Sequence, residues 1–275
     1  MDWQMLILFV LFGMAVGTYG TLIGAGGGFI IVPVLLLFLG WSHAEAVGTS
    51  LLVVTANAAS GSFAYWRQRR IDLQTGWQFA LATLPGAFLG SFVVDLLSGP
   101  IFNRIFGALL VIVSIYLMLR PEKRSDGKIL TERPAGWAGW GWTVRHLVDS
   151  RGSVFDYGFS KSWGLVLSFF VGFMSSILGI GGGIIHVPAL ITLFGFPAHI
   201  ATATSHFVLA ISAASGTVTH LSLGHVRLPE GISMALGALV GAQIGGALSH
   251  RVHGRWIVRG LAAALTLVGL RLILG

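Results

Sequence analysis

Gly24–Leu35 reads GAGGGFIIVPVL, and Gly179–Leu190 reads GIGGGIIHVPAL. Eight of the twelve positions are identical, at an offset of 179 − 24 = 155 residues. Each stretch opens with four glycines in five residues, continues apolar, and reaches a proline. Clustered glycine is poor helix material because it gives up the most backbone freedom on folding. A chain that writes such a stretch twice is using it for something other than an ordinary helix.

The surroundings are greasy. Of 275 residues, 55% are hydrophobic and only 10% charged, and the mean hydropathy is +0.83. Soluble domains carry about 25% charged residues. Apolar runs long enough to span a bilayer, which takes roughly 20 residues, occupy Trp3–Ile23, Trp77–Leu97, Ile101–Leu119, Trp163–Leu178, Gly231–Leu248 and Ile257–Leu274. The chain is therefore expected to be an all-α polytopic membrane protein, and no alternating strand pattern supports a barrel. The N-terminal MDWQMLILFVLFG lacks a basic n-region and a small-residue cleavage site, so it reads as a first helix rather than a signal peptide. The formal charge of +7 sits in loops between apolar runs, as in the cytoplasmic loops of membrane proteins. It does not point to nucleic acid. Cysteine is absent, which excludes disulfides, thiol nucleophiles and thiolate metal sites.

The offset of 155 holds without a gap from about Phe12 to Arg120. Thr49-Ser50 meets Thr204-Ser205, Ala58–Gly61 meets Ala213–Gly216, and Arg104 meets Arg259. The expected organisation is a first membrane repeat over residues 1–120, a linker loop over 121–161 and a second membrane repeat over 162–275. The stretch Arg120–Lys161 is polar, Trp- and Gly-rich between residues 134 and 146, and carries eight Lys/Arg against five acidic residues. Such a loop belongs on the cytoplasmic side.

Loop charge bears on how the halves are oriented. Arg67, Arg69 and Arg70 follow the helix Ala46–Trp66, while the equivalent second-half loop has only Arg227. Ser249–Arg259 carries Arg251, Arg255 and Arg259, while its first-half equivalent, Asp95–Asn103, has no base. Opposite bias at equivalent loops is the pattern of inverted repeats. Counting Trp3–Ile23, Phe29–Leu39, Ala46–Trp66, Trp77–Leu97 and Ile101–Leu119 gives five segments per half and ten in all. If the short Phe29–Leu39 segment and its mate are re-entrant, the count is eight plus two.

Three readings of the glycine stretch compete. As a nucleotide loop it fails: Phe29 stands where a Rossmann turn has its third glycine, and no Lys-Ser/Thr follows for a phosphate loop. As a packing patch, where small residues let helices approach, it would explain Gly86, Gly90, Gly241, Gly245 and Gly246 better than four glycines in five. As a broken helix it fits best. The stretch ends Trp3–Ile23 and opens a short helix whose first N–H groups, the positive end of the dipole, can meet an anion.

The doubled GAGGGFIIVP and GIGGGIIHVP, each followed by GTS or ATS and then ASG, resemble the TauE/SafE family of sulfite exporters and related permeases. The resemblance covers essentially both halves. It implies an integral-membrane transporter of a small sulfur-containing anion such as sulfite or an organosulfonate. The chain is expected in the cell (inner) membrane with no cofactor, and a proton is a candidate coupling ion.

The candidate substrate-binding residues are Gly24, Gly26, Gly27, Gly28, Thr49, Ser50 and Asn57 in the first half. In the second half they are Gly179, Gly181, Gly182, Gly183, Thr204, Ser205 and His206. Ser50, Asn57 and Gly61 share one helical face, and Ser205, Ser212 and Gly216 repeat it. Ser and Thr in membrane helices also bond their own backbone or a neighbouring helix. His206 is ionisable inside an apolar helix, and its first-half match is Leu51. His186 lies opposite Ile31, and Gln243 opposite Phe88. Ser42–Glu45 fits a capping box. An intramembrane enzyme has no motif behind it. A metal-cation carrier using His186, His199, His206 and His220, or a passive anion channel, are the alternatives to an exporter working by alternating access.

Overall fold

The computed structural model describes residues 3–119, 139–249 and 255–274. The expected Trp-rich segment is thus described only from residue 139 onward. Arg120 and Arg251 lie outside the described residues, as do the side chains of Arg255 and Arg259.

The first half runs α1 (Trp3–Ile23), α2 (Gly28–Leu37), α3 (His43–Arg67), α4 (Leu73–Val93) and α5 (Gly99–Leu119). The second half repeats it as α6 (Lys161–Leu178), α7 (Gly183–Thr192), α8 (Ala198–Ser222), α9 (Leu228–Leu248) and α10 (Arg255–Leu274). Six helices among the described residues are long and apolar enough to cross a membrane. The protein is a polytopic, mostly helical membrane protein.

Local signals set several of these boundaries. Ser42 caps α3 by accepting from the Glu45 N–H at 3.3 Å, while Glu45 accepts from the Ser42 N–H at 3.1 Å. This is the reciprocal capping box expected from the sequence. Pro229 and Glu230 lie in the first turn of α9, where a missing N–H costs nothing and a negative charge meets the positive helix end.

The helices pack through glycine. Between lipid-exposed helices there is no hydrophobic drive, so close backbone approach supplies the contact. On α1 and α9, Gly13 meets Met234, Gly17 meets Ala238, Gly241 meets Met14 and Gly245 meets Thr18. The numbers rise together, so the two helices run parallel. On α4 and α6, Gly86 meets Phe169 and Gly90 meets Phe173, also in parallel. Helices α3 and α9 are parallel too: Arg227 meets Thr49, and Gln243 bonds Ser60. By contrast α3 and α8 run antiparallel, with Gly48 against His225 and Gly61 against His206. So do α5 and α10, with Gly107 against Gly269 and Ser114 bonded to the Ala262 carbonyl at 2.6 Å. Because α1 and α3 both run with α9, the chain between them, which includes α2, must run back.

The linker holds a structure that the sequence reading missed. Strands β1 (Trp142–Val148) and β2 (Val154–Ser160) form an antiparallel hairpin, in register from Trp142 opposite Ser160 to Val148 opposite Val154. The fold is therefore not purely α. Period-2 patterning was illegible because Val144 and Val148 occupy the exposed face of β1 while Thr143 and Arg145 turn inward, which scrambles the apolar–polar alternation. The hairpin docks on the α3–α4 loop. Tyr157 donates to Asp72 at 2.9 Å, Arg145 lies 3.4 Å from the same carboxylate, and Arg70 lies 3.7 Å from Asp149 at the hairpin turn.

Candidate functional site

Helix α1 stops where the backbone turns left-handed. Gly24, Gly26 and Gly27 have φ of +79°, +77° and +88°, and Gly179, Gly181 and Gly182 have +69°, +72° and +80°. Any other L-residue would be strained by about 1–2 kcal/mol at each such position, so three glycines per break are required by geometry. Ile30 and Ile31 turn their N–H groups back to the Gly27 carbonyl at 3.0 and 3.3 Å, and Ile185 and His186 do the same to Gly182 at 3.0 and 2.9 Å. No side chain caps either helix start. The first N–H groups of α2 and α7 thus have no acceptor within their own helix and carry its positive end.

The two breaks touch. A Cβ added to Gly28 would strike the Gly179 carbonyl, and one added to Gly183 would strike that of Gly24. Since 28 + 155 = 183 and 179 − 155 = 24, this is one contact made twice. The space between the breaks is filled by an apolar pair that the sequence reading did not single out. Leu209 lies 2.7 Å and Val54 2.9 Å from a Cβ built on Gly26, and the same two side chains abut Gly181. They are themselves equivalents, since 54 + 155 = 209. Membership of the repeat was the signal that could have found them.

The expected polar residues divide into three groups. Thr49 and Thr204 are tied to loop backbone: Thr204 accepts from the Asp72 N–H and Thr49 from the Arg227 N–H, each at 3.0 Å, with 72 + 155 = 227. A second group lies where the two breaks meet. Ser50 donates to the Gly179 carbonyl at 2.8 Å, and Asn57 donates to that of Gly26 at 3.1 Å. Thr21 donates to the Asn57 side-chain oxygen at 3.0 Å and lies 3.5 Å from His206 Nε2. His206 therefore belongs with the first break, although it comes from the second half, and its ring packs edge-on against Tyr65.

The third group lines a cleft at the second break, with Gly181, Gly182, Gly183, His186, Ser205 and Ser212 on one side and the apolar Val171, Val208 and Leu209 closing it. The space among these side chains is narrower than a water molecule. His186 Nε2, Ser205 Oγ and Ser212 Oγ are buried without a hydrogen-bond partner. Among the described residues no group of three or more His, Cys, Asp or Glu is arranged to hold a metal ion.

Two broken helices meeting start to start inside a polytopic bundle define a class, the membrane transporter built on discontinuous helices. Sequence comparison narrows it. The model of the family described as Sulfite exporter TauE/SafE matches residues 9–272, and the chain belongs to that family. It is 34% identical over 274 residues to a Bacillus subtilis (strain 168) protein named "Probable membrane transporter protein YunE", covering 97% of each chain. It is 28% identical over 277 residues to the "Probable membrane transporter protein YjnA" of the same organism, covering 98% of this chain and 100% of the relative. No solved structure matches it significantly. The protein is a membrane transporter of the TauE/SafE type.

Proposed function

We propose that the protein is a secondary transporter, working as an exporter, of a small sulfur-containing anion such as sulfite or an organosulfonate, bound at midplane depth where the two glycine breaks meet. The observation that carries this reading is the reciprocal contact of Gly28 with Gly179 and of Gly183 with Gly24. It brings two positive helix starts, with donors unused by their own helices, to one place inside an apolar bundle. Access to either side comes from movement of one repeat against the other.

Under this reading residues 1–120 and 162–275 are inverted repeats joined by a cytoplasmic linker over 121–161. Support comes from the antiparallel course of α3 against α8 and of α5 against α10, each a pair of equivalents. Short α2 and α7, ten residues each, reach about 15 Å of a ~30 Å core. Together with their glycine segments they serve as return passes, giving five per half and ten in all. The protein resides in the cell (inner) membrane, and a proton is the coupling ion.

Reconstitution tests the function. Purified protein in liposomes should take up sulfite with saturation and should respond to an imposed pH gradient. Uptake linear in concentration and indifferent to the gradient would indicate a channel instead.

A further inference from the structure

The repeats match in sequence, but the two breaks are not chemically equivalent. At the first, Asn57 bonds the Gly26 carbonyl and Thr21 the Asn57 side chain, while Ser50 reaches across to the Gly179 carbonyl of the second break and His206 Nδ1 has no partner. The counterparts of Ser50, Asn57 and Thr21 at an offset of 155 are Ser205, Ser212 and Ser176. None of those three hydroxyls has a partner. The substitution of Asn57 by the shorter Ser212 explains part of this, because a serine cannot reach the carbonyl that the amide spans. Where the first break has the apolar Ile31, the second has His186, whose Nε2 is also unpartnered and whose ring is fixed edge-on against Phe79.

Ser205, Ser212 and His186 are 0%, 2% and 1% exposed, and all three line the cleft beside the start of α7. Buried polar groups in native proteins are satisfied, and exceptions call for an explanation. Here every exception can donate a hydrogen bond: two hydroxyls, an imidazole, and the N–H groups that open a helix. No carboxylate lines the cleft. A cluster of donors at a positive helix end, without a negative group, suits a small oxyanion.

We propose that the anion is held at the second break, by Ser205, Ser212, His186 and the N–H groups that open α7. This deepens the transport reading above and rests on it. The pseudo-symmetric frame then carries an asymmetric seat, walled on one side by Leu209.

The test follows ligand-dependent thermal unfolding of purified protein in detergent, titrated with sodium sulfite, thiosulfate and methanesulfonate, since a ligand of the native state raises its apparent stability. Ser205→Ala, Ser212→Ala and His186→Ile remove no protein–protein hydrogen bond, so they should fold. Each should raise the half-saturating concentration by about tenfold or more. The mirror variant Asn57→Ser, which loses the bond to the Gly26 carbonyl, should lower the unfolding temperature without ligand but leave the half-saturating concentration within about threefold. Should the mirror variant unfold on purification, the second-break variants decide alone, because wild-type affinity in all three overturns the proposal. Equal weakening by mirror and second-break variants also overturns it, with transport intact. If none of the three anions stabilises the wild-type protein, the transport reading falls and the seat falls with it.

Discussion

Tyr65 donates its phenolic O–H to the Thr21 carbonyl at 2.7 Å, fastening the far end of α3 to the last turn of α1. Its equivalent, since 65 + 155 = 220, is His220, whose Nε2 lies 3.0 Å from the Ser176 carbonyl, and 21 + 155 = 176. Two different side chains hold the same joint just before each glycine break. Tyr65→Phe should lower stability by about 1 kcal/mol, the usual net value of one hydrogen bond, and His220→Phe, which also loses the 3.0 Å contact of Nδ1 with His225, by about 1–2 kcal/mol. Thermal unfolding in detergent checks this, and an unchanged midpoint for both would show that the joint contributes nothing.

The inverted arrangement has a direct test because the chain lacks native cysteine. Arg67 and Ser222 are equivalents, 67 + 155 = 222, and both are exposed at the ends of α3 and α8. In intact cells a membrane-impermeant maleimide should label Ser222→Cys and spare Arg67→Cys. In inverted vesicles the result should reverse. Labelling of both from one side would rule inversion out.

Gly26 and Gly181 combine a left-handed backbone with side chains pressed against them. A Cβ at Gly26 would lie 2.7 Å from Leu209, and one at Gly181 2.6 Å from the same residue. Correctly inserted Gly26→Leu and Gly181→Leu proteins should lose transport in reconstituted uptake, by tenfold or more for about 1.4 kcal/mol of lost stabilisation. Wild-type rates in both would remove the breaks from the mechanism.

Hairpin docking should be acid-sensitive. Burial works against ionisation of Asp149, but the Ser153 and Arg151 N–H groups and the Arg70 guanidinium outweigh it and hold the carboxyl below its ordinary value. A lowered folded value gives stability that is complete above the unfolded value of about 3.9 and is lost as pH falls through the folded one. Hydrogen exchange over residues 142–160 should therefore accelerate below about pH 4. In the Asp149→Asn protein exchange should be faster at neutral pH and largely insensitive to that acid step.

Much of this was legible because it is local. Four glycines in five residues specify a break wherever they fall, since only glycine enters the left-handed region cheaply. Ser42 and Glu45 are three residues apart and define a cap without help from the rest of the chain. The hairpin was not legible, because its exposed face carries valines and its anchors, Asp72 and Arg70, come from a distant loop.

The sequence by itself determined a duplicated chain of membrane helices, each copy broken at one glycine stretch. Only the tertiary structure decided which polar groups at those breaks are already engaged. Ser50 and Ser205 are the same residue in the same motif, yet Ser50 has found the Gly179 carbonyl 129 positions away and Ser205 has found nothing. A hydrogen bond between remote segments depends on ångström-scale placement by packing, and no pattern within either repeat encodes it.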